Sequence, residues 1–161
     1  MRKGEDKTTK LERVFVTVSL PTTEIIKQLN AHCPGAVTAT TDAAITIDSK
    51  CLLQVLTYLK NTPGLDFNYL EAITAIDYFQ YFEVVYQLIS LEHNHSLVIK
   101  TKCFGREKPT LQSVVGLWRG ADLQEREIYD LMGITFEGHP NMKRMVLWPE
   151  FKGHPLRKDY L

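Results

Sequence analysis

The chain has 161 residues, of which 44% are hydrophobic and 24% charged, the proportions of an ordinary soluble globular domain with a substantial core. Lysine plus arginine and aspartate plus glutamate number 19 each, so the chain lacks the basic excess that is typical of nucleic-acid-binding proteins. No apolar run approaches the roughly 20 residues needed to cross a bilayer, and the N-terminus has the pattern of neither a secretory signal nor a transit peptide.

The chain begins with a charged segment, a strand and a helix. Residues 1–12 mix charges of both signs without an apolar core, and we expect a flexible lead-in. Residues 14–20 alternate and are rich in branched side chains, which predicts a strand that Pro21 ends. The hydroxyl of Thr22 or its neighbour can cap a helix that runs to about Ala31.

Two short strands and a second amphipathic helix follow. The strands are predicted at 37–40 and 45–47, and Asp48 or Ser49 can cap the helix after them. Its apolar residues recur at i, i+3, i+4 and i+7, the spacing of one buried helix face, at positions Leu52, Val55, Leu56 and Leu59.

Three longer strands are predicted next, at 69–78, 82–91 and 97–104, with a tight turn at Asn94 before the third. Alternation places Leu70, Ala72, Thr74, Ile76 and Tyr78 on one face of the first strand, and Phe82, Val84, Tyr86 and Leu88 together on the second. A short helical piece is expected at 112–117. Two helices before an antiparallel meander predict an α+β fold, with two helices packed on an antiparallel or mixed sheet in a domain of residues 13–118.

Residues 119–161 are predicted to form a third helix and an extended docking arm. Asp122 and Glu125 have the spacing of a capping box at the start of the helix, and Gly133 can end it in a left-handed conformation. Arg126 and Asp130 are four residues apart, so they can form an ion pair on the helix surface.

The arm contains Gly-His-Pro twice, at 138–140 and 153–155, and the prolines favour extended chain at His139 and His154. A long segment without regular structure has to be held by side chains or by a partner. Charged residues are candidates to contact a partner, namely Lys143, Arg144, Arg157, Lys158 and Asp159. Apolar residues are candidates to pack the arm down, namely Phe136, Met142, Met145 and Trp148.

The same residues are compatible with other chemistries. The two histidines and nearby acids could bind a metal, but a spacing of fifteen residues in extended chain does not bring ligands together, so hydrogen-bonded histidines are favoured. The basic pairs at 143–144 and 157–158 could bind an anion or a lipid headgroup, but interrupting acids favour protein contact. The three cysteines are widely spaced and are expected to be reduced, with Cys103 buried in a strand rather than acting as a nucleophile.

Several motifs over 121–160 resemble the 30-kilodalton subunit family of respiratory complex I, the NADH:quinone oxidoreductase. They are E-R-E-x-x-D-L-M, then G-I-x-F-x-G-H-P-x-x-K-R, then G-H-P-L-R-K-D-Y, and a weaker resemblance reaches back to about Leu65. The resemblance implies a non-redox structural subunit without cofactor, metal or catalytic residues of its own. It would belong to the peripheral arm of the enzyme, on the cytoplasmic face of the cell membrane, with membrane contact only through the complex.

The implied partners are other complex I subunits, chiefly the hydrogenase-large-subunit-like subunit that helps to form the quinone site. The assembly would couple electron transfer to quinone with ion translocation. The resemblance implies an interface formed by Glu125, Arg126, Glu127, Asp130, His139, Arg144, His154, Arg157, Lys158 and Asp159. Replacing Arg157 or Asp159 with alanine is then expected to lower assembly and to leave the isolated chain folded.

Three alternatives remain open on the sequence alone. The first is the equivalent subunit of a membrane-bound hydrogenase or of a ferredoxin- or F420H2-fed complex, since the electron donor binds elsewhere. The second is a stand-alone metal-dependent hydrolase that uses His139, His154 and nearby acids. The third is a small binding module outside any respiratory complex.

Overall fold

The computed structural model describes residues 17–160. The elements run in the order β1 Val18–Ser19, α1 Thr22–His32, β2 Val37–Thr40, β3 Ala44–Ile47, α2 Leu52–Asn61, β4 Tyr69–Asp77, β5 Tyr81–Ser90, β6 His95–Phe104, β7 Thr110–Gln112, α3 Ala121–Met132 and β8 Thr135–Glu137. The predicted α+β fold is confirmed. The predicted lead-in and the first residues of the predicted strand 14–20 lie outside the described residues.

The main sheet is mixed and has the order β2-β3-β6-β5-β4, with β1 paired to the start of β6. β5 is antiparallel to β4 and β6, which confirms the meander, whereas β3 and β1 run parallel to β6. Asn94 has φ of 54° in the turn before β6, the left-handed conformation expected there.

One hydrophobic core joins the helices to the sheet. The predicted stripe of α2 is fully buried, and the β5 residues Phe82, Val84, Tyr86 and Leu88 are each at most 1% exposed, as their alternation predicted. Burying a side chain of this size contributes about 1.5–3 kcal/mol, so these positions supply much of the driving force for folding.

The predicted alternation of β4 is wrong in its second half, because a bulge between Leu70 and Ala72 shifts the register against β5. Beyond the bulge the odd-numbered Ile73 and Asp77 are buried, while Ile76 is exposed. β4 is an edge strand of the sheet, and α3 packs beside it. The side chain of Gln124 in α3 accepts a hydrogen bond from the backbone N–H of Ile73.

The prediction of a helical piece at 112–117 is wrong. β7 occupies 110–112 and pairs in parallel with β8, so that β7, α3 and β8 form a βαβ unit, and a turn follows at 115–117. The driving force is the burial of Leu111 and Phe136, which are adjacent in the two-stranded sheet. This pairing joins the predicted domain 13–118 to the predicted segment 119–161.

None of the helices within residues 17–160 is long and apolar enough to span a membrane. Cys33, Cys51 and Cys103 are free thiols, as expected, and Cys103 is buried in β6. Burial raises the pKa of the Cys103 thiol, which lowers its reactivity and agrees with a structural role.

Candidate docking surface on the C-terminal arm

Helix α3 begins without the predicted capping box. Gly120 is the N-cap residue, and Asp122 lies inside the first turn without capping it. Glu125 is fully buried instead, where one carboxylate oxygen accepts a hydrogen bond from the Ser113 hydroxyl at 2.6 Å and the other from the Val114 N–H at 2.7 Å. Burial raises the pKa of Glu125, and the two hydrogen bonds oppose this shift. Glu125 therefore fixes α3 to the segment that follows β7.

Gly133 ends α3 in the left-handed conformation predicted for it, with φ of 71°, and its N–H donates to the carbonyl of Tyr129. A Cβ atom at this position would lie 2.5 Å from side-chain atoms of His154 and Arg157. Glycine is therefore required at this position for two reasons: its left-handed backbone conformation disfavours a side chain, and the arm packs where a side chain would lie.

The carboxylate of Asp130 organises the arm, which we define as residues 138–160. Its Oδ2 atom accepts hydrogen bonds from three consecutive backbone N–H groups, those of residues 145–147, at 2.7–2.9 Å. Its Oδ1 atom accepts from the Arg144 guanidinium at 2.7 Å. Burial alone would raise the pKa of Asp130, but these donors outweigh it and hold the pKa at about 2.

The predicted Arg126–Asp130 ion pair is wrong, because the arm supplies closer partners to both residues. The Arg126 guanidinium donates to the carbonyls of Lys143 and Arg144 at 3.3 and 3.4 Å. Residues 143–147 of the arm are thus tied to α3 by two helix side chains, the basic Arg126 and the acidic Asp130.

His154 and Arg157 tie the second half of the arm to the end of α3. Nδ1 of His154 donates to the carbonyl of Asp130 at 2.9 Å. The Arg157 guanidinium donates to the carbonyls of Met132, Gly133 and Arg106, so it caps the C-terminal end of α3, where the helix dipole favours a cation. Burial lowers the pKa of Arg157.

Arg106, in the loop after β6, anchors the end of the arm to the sheet. Its guanidinium forms two hydrogen bonds of 2.8 Å with the buried carboxylate of Asp77 and also contacts Asp159 at 2.8–3.0 Å. The Asp77 carboxylate also accepts from the N–H of Lys158 at 3.0 Å. The Arg106 guanidinium holds the pKa of Asp77 well below its usual range. Sequence reasoning missed this site because Asp77 and Lys158 are 81 residues apart.

His139 is held within the chain as well. Its side chain is buried, Nδ1 accepts from the N–H of Asn141 at 2.9 Å, and Nε2 therefore donates to the carbonyl of Asp122 at 3.1 Å. Glu127 is exposed, and its side chain forms no hydrogen bond or ion pair within residues 17–160. Lys143 and Lys158 are also exposed, and within the described residues their ammonium groups form no hydrogen bond or ion pair. The other polar groups predicted to contact a partner are engaged by the chain itself, and they hold the arm against its own body.

Several large apolar side chains of the arm face solvent. We call Met145, Val146, Trp148 and Tyr160 the arm ridge, and they are 39%, 57%, 62% and 40% exposed. Phe151 connects its two halves, with ring centroids 4.9 Å from Trp148 and 6.1 Å from Tyr160.

The packing predicted for the arm is confirmed for Phe136, which is buried, and for Met142, which packs against the core. It is wrong for Met145 and Trp148. The Asp130 carboxylate holds the backbone N–H groups at 145–147 inward, which leaves the side chains of this turn in solvent.

The geometry gives no support to the hydrolase alternative. His139 and His154 bind two separate carbonyls, that of Asp122 near the start of α3 and that of Asp130 near its end. Within residues 17–160, the side chains that could place three ligand atoms around one metal ion are Asp66, Glu92 and His93, a group that includes neither histidine.

The family model for the 30 kDa subunit of respiratory-chain NADH dehydrogenase matches residues 45–161. The chain belongs to this family. The match confirms the resemblance seen in the motifs and extends it toward the N-terminus beyond Leu65. It includes the arm, α3 and the strands that anchor them.

Several relatives of the chain are named as the C subunit of NADH-quinone oxidoreductase. The protein from Roseiflexus sp. is 34% identical over 149 residues, covering 88% of this chain and 85% of its own length. The protein from Moorella thermoacetica is 40% identical over 119 residues, covering 73% and 78%. A chain in the structure of the membrane-bound sulfane sulfur reductase, an archaeal respiratory membrane complex, has the same fold, with a TM-score of 0.69, 24% identity and coverage of 86% and 85%.

Proposed function

We propose that this chain is a non-redox structural subunit of the peripheral arm of NADH:quinone oxidoreductase, and that the arm ridge docks it to the subunit that helps to form the quinone site. Its contribution to electron transfer to quinone, coupled to ion translocation, is to hold that neighbour in place. It contacts the membrane, on the cytoplasmic face, only through the complex. Family membership and the names of the relatives support this proposal.

The observation that carries the proposal is the arm ridge. A monomeric protein rarely exposes contiguous large apolar side chains, and tryptophan is enriched at the energetic centres of protein interfaces. Trp148 is 62% exposed although the turn before it is fixed by the buried carboxylate of Asp130. A docking surface that is already ordered loses little conformational entropy on binding, which favours tight association.

The charged residues act on docking in two ways. Asp130, Arg144 and Arg157 set the shape of the arm through contacts within the chain. Glu127 and the ammonium group of Lys158 lie at the exposed surface and are available to contact the polar rim of an interface.

The relatives favour NADH:quinone oxidoreductase over a hydrogenase-linked or ferredoxin-fed complex, because those at 34% and 40% identity carry the former name. The sulfane sulfur reductase chain shows the fold alone. The same docking role would apply in either kind of complex, since it depends on the arm and not on the electron donor.

The test is a double variant of the arm ridge, Val146→Ser with Trp148→Ser, introduced into the native copy of the gene. We expect the amount of assembled complex to fall about tenfold or more, which corresponds to about 1.4 kcal/mol of lost binding energy. Native gels of solubilised membranes would measure assembly, and NADH:quinone activity of the membranes would follow it.

The matched control is Leu91→Ser, because Leu91 is 65% exposed in the turn between β5 and β6, away from the arm. The isolated double variant should keep the melting temperature of the parent chain, since both side chains are exposed. Assembly of the double variant at the level of the Leu91 control would refute the docking role of the ridge.

A further inference from the structure

A second group of exposed apolar side chains lies on the main sheet, outside the arm. Tyr81 and Phe104 are directly opposite each other on β5 and β6, and Tyr78 lies beside Tyr81 at the turn between β4 and β5. Residues opposite each other in an antiparallel pair project from the same face, so the three rings form one row. We call Tyr78, Tyr81 and Phe104 the aromatic row.

The rings of the aromatic row are packed against one another and open to solvent. The centroids of Tyr78 and Tyr81 are 5.2 Å apart in a stacked arrangement, and those of Tyr81 and Phe104 are 5.7 Å apart. Phe104 is 67% exposed and Tyr78 is 45% exposed. Ile76 lies in the next row of the same face and is 41% exposed, so the apolar surface extends along β4. Contiguous exposed apolar surface of this kind marks interaction sites.

A groove extends the surface across the sheet. It has a volume of about 380 Å³, begins at Phe104 and Lys102 and runs past Thr46 to Thr38 and Ala39 on β2. β2 lies at the end of the strand order and pairs only with β3 among the described strands. The groove is therefore a channel across three strands, of a shape that suits an extended chain rather than a compact ligand.

The charged side chains that line the groove are two lysines, Lys50 and Lys102, and one acid, Asp48, so the lining carries a net charge of +1. The Asp48 carboxylate accepts a hydrogen bond from the backbone N–H of Lys50 at 2.9 Å. The ammonium of Lys102 lies 4.6 Å from the centroid of the Tyr81 ring, and the neighbouring Glu83 is paired with Lys100 at 3.1 Å. Within residues 17–160, neither Lys102 nor Lys50, which also lines the groove, has a carboxylate within ion-pair distance.

We propose that the aromatic row and its groove bind an extended, acidic segment of a partner protein that carries apolar side chains between its carboxylates. The apolar side chains would pack on Tyr78 and Phe104, and the carboxylates would pair with Lys102 and Lys50. A second copy of this chain would bring two linings of net positive charge together on this face, which is unfavourable. Two lysines are too few for a lipid surface, which requires clusters of four to eight basic residues.

The experiment places the photo-crosslinking residue p-benzoylphenylalanine at position 104 of the natively expressed chain and irradiates the purified native assembly. We expect an adduct on a segment of another protein in which aspartate or glutamate alternates with apolar residues. Charge reversal by Lys102→Glu should lower the adduct yield per assembled chain about tenfold. The matched control is Lys27→Glu, because Lys27 is an exposed lysine on α1 outside the surface.

Several results would overturn the proposal: an adduct on a second copy, on lipid or on a basic segment, no adduct at all, or a yield that Lys102→Glu does not change. The outcome is independent of the arm ridge. If position 104 crosslinks to an acidic segment but the Val146 and Trp148 double variant assembles normally, the aromatic row binds a partner and the docking role of the arm ridge is refuted. If position 104 gives no adduct but the double variant fails to assemble, the docking role of the arm ridge stands and the binding role of the aromatic row is refuted.

Discussion

The single carboxylate of Asp130 accepts hydrogen bonds from three consecutive backbone N–H groups and from a guanidinium. Successive backbone N–H groups form anion-binding concavities in many proteins, and here such a turn of the arm closes around a fixed anion. A neutral side chain of the same shape would lose both the charge and half of the acceptor capacity. The position of the ridge therefore depends on one ionised group.

We predict that Asp130→Asn lowers the free energy of unfolding by about 2–3 kcal/mol at pH 7, because an amide leaves donors unsatisfied in a buried site. Asp42→Asn is the control, since Asp42 is exposed, and it should change stability by less than about 0.5 kcal/mol. Urea titration of both variants measures the difference.

The pH dependence of this difference has a definite sign. The folded-state pKa of about 2 lies below the unfolded value of about 3.9, so the stabilisation is fully present above pH 4 and is lost as the pH falls toward 2. The gap between the parent chain and Asp130→Asn should therefore close between pH 4 and pH 2. A gap that stays constant over this range would show that the Asp130 carboxylate is not stabilised by its donors.

At the scale of elements, the junction between α3 and the arm is constrained both in backbone conformation and in packing. Gly133 supplies the left-handed end of the helix and leaves room for His154 and Arg157. Gly35 has a similar φ of 79°, but a Cβ added there would meet no atom within 4 Å. The two glycines share a left-handed backbone and differ in what packs against them, which makes them a matched pair.

We predict that Gly133→Ala destabilises the chain by about 2 kcal/mol more than Gly35→Ala. Each variant carries about 1 kcal/mol of strain for an alanine in the left-handed region, but only Gly133→Ala also displaces the arm. Chemical denaturation gives the energies, and limited proteolysis should detect a released arm in the Gly133 variant alone. Equal losses would mean that the arm accommodates the added methyl group.

The elements that the sequence predicted well are those governed by local patterns. The extent of α1, the apolar stripe of α2, the meander and the left-handed Gly133 and Asn94 follow from residues within a few positions of each other. The parts predicted wrongly depend on distant residues. Glu125 does not cap its own helix because Ser113 and Val114 bind it, and β7 forms because β8 returns beside it after α3.

An arm at the C-terminus was predicted from its motifs, but its internal contacts were not. Its charges looked available to a partner because their partners in this chain, such as the Met132 carbonyl for Arg157 and the Arg106 guanidinium for Asp159, carry no signal in the sequence. The exposure of Trp148 could not be foreseen for the same reason.

For the whole molecule, the arm is a folded part of the chain before any partner binds. This refines the expectation that Arg157→Ala leaves the isolated chain folded. Arg157 donates to carbonyls at the end of α3 and in the loop that carries Arg106, so its loss should free the arm. The part of the core between α1, α2 and the main sheet should stay folded.

We predict that Arg157→Ala increases amide hydrogen exchange at residues 145–147 and 156–158 of the isolated chain by about tenfold or more, without a comparable change in β5. Arg119→Ala is the control, because Arg119 is an exposed arginine that lies before α3 and outside the arm. Exchange followed by mass spectrometry resolves both regions. Unchanged exchange in the arm would mean that Asp130 and Arg106 suffice to hold it.

The two edges of the main sheet differ in a way that limits self-association. Gln124 occupies the N–H of Ile73 on the β4 side, whereas β2 ends the sheet on the other side without a further strand among those described. Copies that paired antiparallel through β2 would meet around a twofold axis, and β2 of each copy would then be occupied. Pairing of this kind closes at two copies and does not propagate into a filament through β2.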